Sequence, residues 1–526
     1  MVLTRPRFAA VTFSGLALTA AGLALTSAGS LWYALVLWVL AVLCSAQAAI
    51  AFRDRRAAVS TASLLRRWLQ GDRVLVVGLV TTGVLMAAVY ALVILPWMQP
   101  DEPRHYEVAL HVARLDKPVV TGQDRVPKWE QEMIAAMEAR SFWWYGFSMV
   151  GWDPNHLPDS FAEIWGAEYS TAFFQPPLYY ALTGGLLSLW GKDLALDEGI
   201  LRLRLVSLFL FGLSLVGIYC AVAELFPERR HWAIGVLGLA ALWPSHLAAN
   251  AAVNNDVLAE VLVVWALYFA VHILRRGPHV GNVSWLLALA LLGITTKRTA
   301  LTAAFIVPLT LLFWALDASP GHRSRRKAAW IALVASVPLA AALLAVLVKA
   351  GRLGIPEDFF AKLDSGVYWR DLLTYPLAEH TNSMMRTFVG WFGWLRVALP
   401  VPLYWLGGGL LILAFLGVLR LPLTPYHRAL AGWQKRALAL FAIAILVQLV
   451  LIIGKQLLYA DFSGESVPQM RYLYAVAPAV FLFVWLGWRV WVPVRVRRYM
   501  IPATVVLLLI FNAYVLGFLL YPFYWL

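Results

Sequence analysis

The chain has 526 residues, of which 61% are hydrophobic and only 14% charged, and its formal charge is +14. Soluble domains carry about a quarter charged residues, so this composition excludes one; apolar runs of the ~20 residues that a bilayer core requires recur along the whole length. The basic excess lies in short loops between those runs, which fits membrane topology and gives no support for nucleic acid.

The chain therefore reads as an all-α polytopic membrane protein, a single transmembrane domain over 1–526. Thirteen spans are expected: 9–29, 31–52, 74–97, 200–225, 232–249, 257–274, 284–296, 299–316, 329–348, 398–419, 437–454, 472–489 and 500–520. The first apolar run, about Phe8 to Ala28, is too long for a signal-peptide core and leads straight into the second, so it is expected to be retained. The cysteines, Cys44 and Cys220, both fall inside apolar runs, placed for neither a disulfide nor a metal.

With the amino terminus in the cytoplasm, 24 of the 43 Lys and Arg but only 5 of the 29 acids fall on the inner side. That asymmetry is the one the positive-inside rule predicts. It puts the carboxyl terminus outside, together with a large loop over 98–199 and a second over 349–397. The stretch Trp285 to Leu316 carries Lys297 and Arg298 at its centre, and the loops on both its sides are basic. An even number of crossings is required there, hence a hairpin with the two cations at its outer tip. The run from Pro176 to Gly191 is too short to cross and reads as a helix lying on the outer leaflet.

Around the end of the 74–97 span, the chain runs Pro100-Asp101-Glu102-Pro103-Arg104-His105-Tyr106. Asp101 ahead of Pro103 suits a helix N-cap. The same carboxylate beside lipid would be raised in pKa by desolvation, as a general base requires. Asp256, after Asn254 and Asn255 at the outer end of another span, carries the same two readings. Lys297, Arg298 and Arg471 lie at outer helix ends, where cations either snorkel to the interface or hold an anion such as phosphate. Asp101 and His105 are four residues apart and could share a metal ion, although a lone pair is a weak signal. Gln175-Pro176-Pro177-Leu178-Tyr179-Tyr180 gives a rigid start to the interfacial helix. Nucleotide-binding glycine loops, zinc motifs and serine elbows are absent from the sequence.

Taken in order, the Pro100–Tyr106 stretch, Gln175-Pro-Pro-Leu-Tyr-Tyr, Asn255-Asp256, Thr296-Lys297-Arg298-Thr299 and Arg471-Tyr472 resemble the GT-C class of integral-membrane glycosyltransferases. That class includes protein O-mannosyltransferases and lipid A aminoarabinose transferases. Trp391-Phe392-Gly393-Trp394 looks like a less characterised bacterial branch of it. The resemblance spans nearly the whole chain and implies about thirteen helices, with interfacial helices in the first external loop. It also implies an inverting enzyme that takes a sugar from a polyprenyl-phosphate donor to an acceptor hydroxyl on the extracytoplasmic side. On this likeness Asp101 is the catalytic base, Glu102 its helper and Asp256 a second acid oriented toward acceptor or phosphate. Lys297, Arg298 and Arg471 would neutralise the leaving phosphate, while His105, Gln175, Tyr179 and Tyr472 would line the substrate cavity. Aminoarabinose transferases carry Glu-Lys before the two prolines, where this chain has Phe174-Gln175, so the metal and phosphate roles of that pair do not carry over. A divalent metal is left open and no other cofactor is implied. The expected partners are the lipid-linked donor, a glycan, lipid or protein acceptor, and membrane lipids.

Two other classes share parts of this pattern. A lipid or sugar transporter or flippase would place charges within its spans and often show inverted repeats; here the charges concentrate at one face beside a large external loop. A glycan polymerase or ligase with a diphosphate-linked donor has the same architecture.

Overall fold

The computed structural model describes residues 73–117, 120–146, 158–165, 171–317, 377–459 and 469–526. Within them the chain is helical, with one two-residue antiparallel ribbon in which Trp391 pairs with Ala398 and Phe392 with Val397. The main helices are α1 (Arg73–Val93), α2 (Glu102–Leu115), α3 (Pro127–Glu138), α4 (Leu178–Trp190), α5 (Leu196–Leu225), α6 (Arg230–Leu242), α7 (Pro244–Asn250) and α8 (Asp256–Arg276). They continue as α9 (Val280–Ile294), α10 (Leu301–Asp317), α11 (Leu377–Gly390), α12 (Val401–Arg420), α13 (Gly432–Tyr459), α14 (Ala477–Trp491) and α15 (Met500–Tyr514).

Eight described helical stretches are long and apolar enough to cross a membrane; a bent pair and the shorter Val280–Ile294 bring the described candidates to ten. The chain is a multi-pass membrane protein. These ten match ten of the thirteen expected spans. The other three, 9–29, 31–52 and 329–348, lie outside the described residues, as does 349–376 of the second loop expected outside.

Two spans depart from the expected straight helices. The 232–249 run bends by 64° between α6 and α7. Pro244 has no N–H to donate to the carbonyl four residues back. That carbonyl, Ala240, is taken by His246 Nδ1 at 2.7 Å, and Leu242 O accepts from Asn512 Nδ2 at 2.8 Å. The 284–316 run is the hairpin expected from charge: α9 ends at Ile294, Lys297 is extended, and α10 packs back against α9.

Among the described spans α8 is the most deeply buried, and it runs along α5. Tight helix contact is clearest between α12 and α14. A Cβ on Gly417 would meet the Gly487 carbonyl oxygen at 2.1 Å, so only glycine allows that approach. Helix α4 is 13 residues, about 20 Å. Its Tyr179, Tyr180, Thr183, Gly184 and Leu187 pack inward toward α2, while Leu182 and Leu189 stay exposed, as suits a helix lying flat at an interface.

Candidate active site

The N-terminal ends of α2 and α8, the α9–α10 tip and the turn before α14 converge at one end of the bundle. Asp101 occupies the N-cap position of α2 without a capping hydrogen bond, and its backbone is left-handed at φ 64°. Its carboxylate turns to the Arg471 guanidinium instead, and Arg471 also donates to Pro100 O at 3.2 Å. Asp256 is likewise relieved of capping. Asn254 Oδ1 accepts the Asp256 and Val257 N–H groups at 2.8 and 3.3 Å. This leaves the Asp256 carboxylate to pair with Lys297 Nζ at 2.6 Å.

Tyr472 joins the two ion pairs. Lys297 Nζ and Arg471 Cζ each lie 5.1 Å from its ring centre, and Arg471 donates to its hydroxyl at 3.3 Å. Cation–ring contact is stronger where water is displaced, and Lys297 is only 9% exposed. Asp256 Oδ2 and Arg471 Nε are buried without a hydrogen-bond partner. Both residues line a void of about 10 Å³, about the size of one water, together with Asn250, Glu260 and Tyr474 among others.

His105 completes this group. Its Nδ1 shares a hydrogen bond of 2.8 Å with the Tyr180 hydroxyl, and its ring stacks on Tyr180 and meets Tyr179 edge-on. Burial, then the positive charge of Lys297, push its imidazole down to about 3; Asp101 and Asp256 pull the other way and Arg471 adds to the depression. The ring is therefore neutral at physiological pH. The same two acids and two bases acting on it place it within the cluster.

Helix α4 is fixed to the hairpin tip through Leu178 N–H, which donates to Thr295 O at 2.9 Å. Beside it, an apolar groove of about 690 Å³ opens between α4, α5 and α8, lined by Tyr179, Leu186, Trp190, Leu205, Phe209 and Leu258 among others. Tyr179 connects the groove to His105, and Leu258 is two residues from Asp256.

Three expected site residues stand apart from the ion-paired core. Glu102 is fully buried and gives both oxygens to Arg204, at 2.9 Å from Nε and 2.6 Å from Nη2. It also accepts from the Trp97 and Val253 N–H groups at 3.0 and 3.1 Å. Arg298 opens the 3-10 turn after Lys297, half-buried beside the turn that carries Arg471. Gln175 lies on the approach to α4 with its Oε1 buried and unpartnered. Among the described residues, no group of three or more His, Cys, Asp or Glu side chains is placed to hold a metal ion.

Arg204 is not among the expected site residues. It donates to the Ala91, Ile94 and Leu95 carbonyls at 2.6, 2.6 and 3.0 Å as well as to Glu102, and so ties α5 to the end of α1. An arginine a few residues inside an apolar run was the available signal. Asn254, whose capping bonds free Asp256, is not among the expected site residues either.

No protein-family model matches the chain, and no curated protein matches it. Among solved structures it is similar to the crystal structure of ArnT from Cupriavidus metallidurans in the apo state, at 16% identity over 79% of this chain and 77% of that one. The TM-score is 0.29, a superposition too loose to bear on this chain's fold or chemistry.

Proposed function

We propose that the chain is an inverting GT-C-type glycosyltransferase that moves a sugar from a polyprenyl-phosphate donor to an acceptor hydroxyl at the extracytoplasmic membrane surface. The observation that carries this reading is the pairing of Asp101 with Arg471 and Asp256 with Lys297 around one tyrosine, with an apolar groove linked to this group through the contact of Tyr179 with His105. A lipid phosphate needs cations at the water boundary and an apolar channel for its chain; both are adjacent here.

Asp101 takes the proton from the acceptor hydroxyl. The hydroxyl oxygen attacks the anomeric carbon from the face opposite the phosphate, and the bond from that carbon to the phosphate oxygen breaks. Polyprenyl phosphate leaves, its charge met by Lys297 and Arg471, with Arg298 on the same turn. Preorganised cations of this kind are worth most where charge develops in a site of low dielectric.

The ion pairs give the site a resting form. A carboxylate held by a guanidinium is a weak base, since the opposite charge favours its ionised form. A donor phosphate competing for Arg471 and Lys297 loosens both carboxylates, so Asp101 is free to turn to the acceptor hydroxyl only when the donor is in place. Neutral His105 adds no charge of its own and positions the Tyr180 side of the cavity. Glu102 serves as the staple holding α2 to α5 and α1 through Arg204.

Membranes containing the protein should transfer radiolabel from a polyprenyl-phosphate sugar to an acceptor, and Asp101→Asn should not. Transfer by Asp101→Asn at the wild-type rate would end the assignment of the base. Label moving across the bilayer without a new glycosidic bond would support a flippase instead.

A further inference from the structure

The far ends of the same helices hold a second charged cluster. From Arg471 to Arg489 the chain runs eighteen residues, about 27 Å as a helix, close to the ~30 Å of a hydrocarbon core. The acid–base cluster and the Arg489 end thus lie one bilayer apart. At that end Glu224 gathers His272 Nδ1, Arg275 and Arg276, each at 3.1 Å. Arg229, Arg489 and Arg497 differ from these: among the described residues none of the three forms an ion pair, and Glu228 on the same turn is exposed and also outside one.

Two of these arginines, Arg229 and Arg489, sit on an aromatic platform, and the third lies beside Arg489. Arg229 Cζ lies 4.4 Å from the Tyr426 ring centre and 5.1 Å from that of Trp232, and Arg489 Cζ lies 4.9 Å from Trp232. Trp232 and Tyr426 are themselves 4.6 Å apart. Arg497 is close enough to Arg489 for the two charges to repel, and it is held by Val492 O at 2.9 Å. Trp232 is 1% exposed, and both its indole nitrogen and the Tyr426 hydroxyl oxygen are buried without a hydrogen-bond partner. Like charges held together beside two idle donors are costly unless an anion completes the site. Next to it Trp491, Val494, Val496 and Tyr499 are exposed apolar surface at the end of a span, where acyl chains would lie.

We propose that Arg229, Arg489 and Arg497, with the Trp232 indole and the Tyr426 hydroxyl, bind the phosphate of an anionic glycerophospholipid in the leaflet opposite the acid–base cluster. On the topology read from the sequence this is the cytoplasmic leaflet. The site is independent of the proposed transferase chemistry, because its occupant touches none of that machinery.

The test uses full-length protein, delipidated in an uncharged detergent. Its thermal midpoint is followed while phosphatidylglycerol, phosphatidylcholine or inorganic phosphate is added, and native mass spectrometry counts bound lipid. Phosphatidylglycerol should stabilise the wild type and remain bound, whereas the other two should not. The double variant Arg229→Gln/Arg489→Gln should need about tenfold more phosphatidylglycerol or greater. Trp232→Phe keeps the ring but loses the N–H, and should show a smaller weakening even if the double variant folds poorly. Arg495→Gln, exposed and outside the cluster, should match wild type. Equal stabilisation by phosphatidylcholine, or wild-type response in both cluster variants, would overturn the site. Inorganic phosphate acting as well as phosphatidylglycerol would make the ligand a soluble anion and overturn the lipid assignment.

Discussion

Asp101 and Arg471 stand 370 residues apart in the chain and meet as an ion pair at one end of the bundle. Asp101 reaches Arg471 from a left-handed backbone conformation that aspartate and asparagine tolerate better than most residues. The chain accepts that strain, and gives up an N-cap bond, to place the carboxylate where it is.

Asp101→Asn is therefore the cleanest test of charge. Asparagine fits the same backbone, so the fold and membrane insertion should persist while transfer falls by about 10²–10⁴-fold, the worth of a general base. Activity with a set of polyprenyl-phosphate sugars, beside a detergent-solubility profile matching wild type, checks both halves. A variant that aggregates would instead make Asp101 structural.

Glu102 should behave differently from its neighbour. Removing it leaves the Arg204 guanidinium buried with only backbone carbonyls, and breaking a buried pair costs about 3–5 kcal/mol. Glu102→Ala and Arg204→Ala should each lower the thermal midpoint sharply. Glu102→Leu combined with Arg204→Met, which removes both charges, should unfold later than either single alanine variant. Should Glu102→Ala keep wild-type stability yet lose transfer, the catalytic-helper reading would return.

Lys297 and Asp256 are expected to couple. On the proposed reading, Lys297→Ala removes a cation from the donor phosphate and leaves Asp256 without its ion-pair partner, so the donor's KM should rise or kcat fall. Asp256→Asn in that background should add little, because the pair acts as a unit. Fully additive losses in steady-state kinetics would show that the two side chains work separately.

How much of this was legible in the sequence depends on what set each feature. Spans were readable because the bilayer imposes length and apolarity on every segment independently. The α9–α10 hairpin followed from counting Lys and Arg in the flanking loops, and the break does come at Thr295–Lys297. The bend at Pro244 was missed although proline announces it, because hydropathy alone reads 232–249 as continuous. In the site, Asp101, His105, Asp256, Lys297, Arg471 and Tyr472 come together as the ordered motifs suggested. Local sequence could not tell Asp101 from Glu102. They are adjacent in the chain, yet one faces Arg471 and the other Arg204, a choice made by long-range packing. Capping misled for the same reason: Asn254, two residues before Asp256, takes the N-terminal N–H groups of α8.

The buried histidines of α2 set the response to acid. Burial, aided by Lys297, holds His105 down at about 3, and burial holds His111 down at about 4, both from an ordinary value of 6.5. Between the folded and ordinary values the unfolded chain binds protons that the folded chain refuses, so stability is full above about pH 6.5 and declines as pH falls toward 4. Each histidine loses up to about 1.4 kcal/mol per pH unit within that window. The thermal midpoint of the purified protein should accordingly fall on acidification from pH 7 to 4.5, and His105→Gln should flatten that slope, since glutamine binds no proton in either state. Its hydrogen bond to the Tyr180 hydroxyl can be kept by the glutamine amide, which separates loss of titration from loss of packing. A slope unchanged by His105→Gln would mean that the acid sensitivity arises at other groups.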